Sequence, residues 1–163
     1  MKSILIMLAV ASAAKVVADF LPDAVVEAAF MYPAAKLAAL YWGVPLASSP
    51  LVFSVRGVAL EVTRACSATD FFSMAFALMA LALPVRRAAL RAVAALPCAW
   101  AVAVFANAVR LVVLAVVDRA FPRSAVPAVH MAAGIAVFLP VLSLLWYNFA
   151  RRKDSPDGNR PAE

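Results

Sequence analysis

The sequence predicts an all-α, polytopic membrane protein, and three observations carry that reading. Of its 163 residues, 66% are hydrophobic and only 15% charged, with a mean hydropathy of +0.93. Soluble domains carry about a quarter charged residues, so the polar surface here is too small to cover an exterior facing water. The apolar residues also fall into five runs of about the 20 residues needed to cross a hydrocarbon core. Finally, Lys and Arg bracket these runs instead of gathering on one patch. Membrane proteins place cations this way, which argues against reading the net charge of +6 as a nucleic-acid surface. The expected partner is the lipid bilayer.

The first run, residues 3–21, holds Lys15 and Asp19. Lys2, the apolar stretch and Ala11-Ser12-Ala13 also fit a signal peptide over residues 1–13. Cleavage would leave four spans and turn the basic loop 86–91 outward, so an uncleaved span is preferred. The second run, 24–44, contains Glu27, Tyr32 and Lys36, read with Lys15 and Asp19 as charge pairing within or between the first two helices.

In the connection 45–66, Leu51-Val-Phe-Ser-Val55 and the stretch from Val58 to Arg64 alternate large apolar residues around Arg56-Gly57. A period of two about a two-residue turn predicts a short extracytoplasmic β-hairpin, with an irregular loop as the alternative. It would deliver Cys66 to the mouth of the third run, 67–84. The fourth and fifth runs are 92–117 and 131–150. Residues 1–150 thus form one integral-membrane domain. Residues 151–163, polar and rich in Asp, Pro and Gly, read as a disordered cytoplasmic tail.

Arg86, Arg87 and Arg91 make one basic loop and Arg151-Arg152-Lys153 another. Both belong on the cytoplasmic side, and two spans separate them, so the parity agrees. The connections 45–66 and 118–130 then face the outside together. Five spans put the amino terminus outside as well.

Arg110 lies inside the fourth run, between Asn107-Ala-Val and Leu-Val-Val-Leu. A charge within a span costs several kcal/mol unless it meets a partner or water, so it marks a functional site unless it snorkels from a tilted helix. Asn107 shares its face. Cys66 stands at the start of the third helix, near Arg64. A nearby cation and a helix amino terminus both favour thiolate. His130 opens the fifth run, and imidazole can carry protons near neutral pH. All three residues fall at the outer third of the membrane. Nucleophile, proton carrier and cation are the minimum for thiol acyl transfer. Asp70, one turn after Cys66, is placed to orient His130. Cys98 sits about 28 Å below the outer end of its helix by helical rise, too far to pair with Cys66, and reads as a packing residue. Two cysteines and one histidine make no closed zinc site unaided, and neither metal nor cofactor is expected.

These residues resemble the exosortase and archaeosortase family, especially its short members. Ala65-Cys66-Ser67 resembles the family's Cys motif, Asn107-Ala-Val-Arg110 its Asn-x-x-Arg and His130-Met-Ala-Ala-Gly134 its His-x-x-x-Gly. Met31-Tyr-Pro-Ala-Ala and Tyr41-Trp-Gly43 are similar to the stretch before the Cys loop. The likeness spans residues 20–150. Where the family has Gly after Cys-Ser, this chain has Ala68.

The resemblance implies a multi-pass enzyme of the bacterial inner membrane with an extracytoplasmic site. Its partners would be membrane-anchored substrates ending in a short motif such as Pro-Glu-Pro, a helix and a basic tail. Cys66 would form a thioester, His130 would protonate the leaving amine, Arg110 would stabilise negative charge, and the product would pass to a surface acceptor. Two other readings stand beside it: a non-catalytic transport or assembly subunit, and a family member that binds sorting signals without cleaving them.

Overall fold

The computed structural model describes residues 2–48, 50–82, 87–117 and 126–153. Five helical stretches appear where five apolar runs were expected. They are α1 (Lys2–Asp19), a composite helix Asp23–Trp42, α4 (Thr69–Ala82), α5 (Ala88–Val117) and α6 (Val126–Lys153). The composite helix consists of α2 (Asp23–Val26) and α3 (Tyr32–Trp42), joined by a π turn over Glu27–Met31. It ends at Gly43, whose φ of 65° lets the chain leave through a left-handed cap. Among the described residues, Asp23–Trp42, Ala89–Val117 and Ala128–Asn148 are long and apolar enough to cross a membrane. α1 and α4, at 18 and 14 residues, are shorter. α6 continues to Lys153, past the expected end of the last span at 150, and the tail beyond it lies outside the described residues.

The expected hairpin is present, as part of a three-stranded antiparallel meander: β1 (Leu46–Ser48), β2 (Leu51–Val55) and β3 (Val58–Glu61). The turn falls at Arg56-Gly57, both with positive φ (52° and 85°), as a two-residue hairpin requires. Alternation sorts β2 into buried Leu51, Phe53 and Val55 on one face, with Val52 and Ser54 on the other. The strand expected to reach Arg64 stops at Glu61, and Arg64–Cys66 coil into a single 3-10 turn.

The buried face of the sheet joins Ala34, Ala38, Leu111 and Leu114 in one core that also holds Cys66. A second core joins Ala68, Phe71 and Ala75 of the α4 region to Ala99, Ala103 and Ala106 of α5, with Phe138 of α6 packed against it. Alanine stripes let these helices approach closely, which suits packing where lipid supplies no hydrophobic drive.

The contacts also orient the helices. Lys15 near the end of α1 pairs with Asp70 at the start of α4 at 3.0 Å. Arg110 in the second half of α5 reaches the start of α6. At the other end, Met7 and Leu8 share a wall with Leu78 and Trp146. α1, α4, α5 and α6 therefore alternate in direction. The beginning of α1 lies with the ends of α4 and α6, which reverses the expected placement of the amino terminus opposite the basic segments.

Candidate active site

α5 organises the site through three donors, each bound to a backbone carbonyl of a different segment. Trp100 Nε1 donates to Ala29 O in the π turn at 2.7 Å, a region whose wider hydrogen-bond spacing disturbs the α-helical ladder. Two turns on, Asn107 Nδ2 donates to Cys66 O. Arg110 Nη2 donates to His130 O at 3.3 Å. Cys66, Arg110 and His130 are thereby gathered at one end of the bundle, and Asn107 is the link to the cysteine turn.

Asn107 is fully buried and Arg110 is 9% exposed. Among the described residues, Asn107 Oδ1 and Arg110 Nε have no hydrogen-bond partner. The Arg110 guanidinium lies 5.7 Å from the centre of the Phe138 ring, which stacks on Phe71 at 4.5 Å. A side chain added at Gly134 would begin 3.5 Å from Arg110 Nε, so this glycine leaves room for the guanidinium. Among the described residues Arg110 has no carboxylate partner, while Lys15 and Arg64 do.

Arg110, His130, Arg64 and Asp70 line a cavity of about 640 Å³, together with Lys15, Ala65, Ser67 and Gly134. The thiol of Cys66 is free and buried, at 3% exposure, and the cavity wall at this point is made by its neighbours Ala65, Ser67 and Ala68. Ser67 Oγ lies 3.2 Å from Thr69 Oγ1, closing the turn. Cys98 is also free, and exposed.

Two supporting residues have other employment than expected. Arg64 pairs with Asp23 and donates to Asp19 O and Leu21 O at 3.1 and 3.3 Å, tying the cysteine turn to the α1–α2 corner. Its contacts are with that corner and not with the thiol. Asp70 pairs with Lys15, which also pairs with Asp19 at i,i+4. These long-range pairs left no signal in the sequence, since opposite charges so far apart along the chain have no periodicity to reveal them. Lys36 lies over the Tyr32 ring at 5.8 Å. Among the described residues no group of three His, Cys, Asp or Glu side chains could hold a metal ion.

Fold and site together define a polytopic helical membrane protein with a guanidinium and an imidazole lining one cavity at one end of the bundle, beside the turn that buries the Cys66 thiol. Residues 33–147 match the transmembrane exosortase family. That is most of the chain, and it includes all three site residues: the protein belongs to the transmembrane exosortase family. No curated protein and no solved structure matches it.

Proposed function

We propose that the chain is a cysteine peptidase-transpeptidase that cleaves the carboxy-terminal sorting signals of exported proteins at the outer face of the inner membrane. The observation that carries this reading is the meeting of the Cys66 turn, Arg110 and His130 around one cavity on three separate elements. Cys66 Sγ, as thiolate, adds to the scissile carbonyl, and the oxyanion that forms lies against the Arg110 guanidinium. The C–N bond breaks, His130 gives its proton to the leaving amine, and the new carboxyl end is held as a thioester. A nucleophile of the acceptor then gives its proton to His130, attacks the thioester and expels the thiolate.

Arg87, Arg91 and the segment 151–153 at the opposite end support an extracytoplasmic site by the positive-inside rule. The burial of Cys66 requires the turn 64–68 to shift before the thiol meets a substrate. The same burial, with Ala68 in the turn, favours a second reading in which the protein binds sorting signals without cutting them.

Co-expression with a substrate ending in a motif, a helix and a basic tail separates the two readings. The wild type should shorten the substrate, and Cys66→Ala should insert normally but leave it intact. Shortening by Cys66→Ala would remove the nucleophile assignment. Retention of the uncut substrate by wild type and variant alike would establish the binding-only reading.

A further inference from the structure

The cavity at the site continues into a second one. Met74 of α4 and Leu142 of α6 line both, and the lower cavity, about 290 Å³, is completed by Met7, Leu8 and Ala11 of α1 with Leu78, Ser143 and Trp146. α1 and α6 each pack on α4 and flank it, so the two cavities form one trench with α4 as its floor. By helical rise it runs roughly 22 Å along α6 from Met131 to Trp146, most of the depth of a hydrocarbon core. Its chemistry divides sharply. The upper part holds Lys15, Asp19, Arg64, Asp70, Arg110 and His130, whereas the lower part carries no charge.

We infer that this trench is the docking surface for the single membrane-spanning helix of the substrate, whose outer end unwinds into the cavity at Arg110. The inference rests on the peptidase reading above for the identity of its occupant. Three features select a peptide helix. The backbone of a polypeptide at this depth must satisfy its own hydrogen bonds, so it enters as a helix. Ala11 and Ser143 in the trench walls are the small residues that let a helix backbone come close. At the top, Arg110 is nine-tenths buried, lines the cavity and, among the described residues, has an unpartnered Nε and no carboxylate of its own. An acidic side chain or a developing oxyanion next to the substrate helix would complete it. Continuity between trench and site then sets the register: a helix seated against Leu78 and Leu142 carries its outer junction to the cysteine turn.

The test uses the full-length protein in membranes, as Cys66→Ala so that substrate is held uncut, with a photoreactive residue at Leu78 or Leu142. Crosslinks to the tailed substrate are expected from both positions and not from Phe105, which is exposed on α5 outside the trench. In the active chain, Ala11→Trp and Ser143→Trp should lower processing by about tenfold or more, while Leu139→Trp, on the exposed side of α6, retains it and reports folding. Equal crosslinking from Phe105, crosslinks to lipid alone, or normal processing by both trench variants would overturn the trench. Failure of the wild type to process any tailed substrate would instead overturn the peptidase reading, while crosslinks confined to the trench would still stand.

Discussion

Ala68 occupies a backbone conformation that suits glycine, with φ at 58° directly after the Cys66-Ser67 pair. A left-handed residue other than glycine costs about 1–2 kcal/mol, and glycine gives back about 0.4–1 kcal/mol through the freedom of the unfolded chain. Ala68→Gly should therefore raise stability by about 0.5–1 kcal/mol, read as a higher melting temperature in detergent. An unchanged or lower melting point would show that the turn is not strained. Asn107 makes the complementary case. Its Nδ2 holds the Cys66 carbonyl from a fully buried position. Asn107→Leu should cost about 1–3 kcal/mol by leaving that carbonyl unpaired, and Asn107→Asp more, since it sets a second acceptor against it. The reverse order would deny the bond. Arg110 and Asn107 were legible in the sequence because polar groups inside an apolar run stand out. The partners of Arg64 and Asp70 were not, because the pairs form only when α1 and α4 meet.

Among the elements, the sheet was read from alternation, and the part read was the part long enough to alternate. β2 supplies five residues and the Arg56-Gly57 turn a clear signal, whereas β1 is three residues long and offers no pattern to count. Gly57 has open space where a side chain would start, so its φ of 85° sets the whole cost of replacing it. Gly57→Ala should lose about 1 kcal/mol, measured by thermal unfolding. Arg56, equally left-handed, lies 5.7 Å from the Trp42 ring, a contact that offsets part of its strain. The composite helix shows where hydropathy stops informing. Its 20 residues pass every length and composition test for a span. Yet its first residue pairs with Arg64, and the chain beyond its last residue returns to Arg64 through the sheet. A meander with two open edges does not sit exposed in hydrocarbon, so the end of this helix that feeds the sheet belongs outside the hydrocarbon core.

For the whole molecule, the alternation of α1, α4, α5 and α6 sets the direction of the chain. The start of α1 shares its end of the bundle with the start of α5 and the end of α6, so Arg87 and the segment 151–153 lie with it. A reporter fused at the amino terminus should score cytoplasmic, on the same side as one inserted beside Arg87. Opposite sides would overturn the alternation of α1 with α4, α5 and α6. The membrane class was legible from composition alone, while the trench between α1 and α6 depends on three helices meeting and no local pattern announces it. The arrangement of Trp100, Asn107 and Arg110 along α5 has a broader consequence. Each grips its neighbour by a main-chain oxygen, an atom that every amino acid supplies. The gripped segments can therefore exchange their side chains over generations without loosening the scaffold. Relatives would be free to retune what they accept while the spine that aligns the reaction stays put.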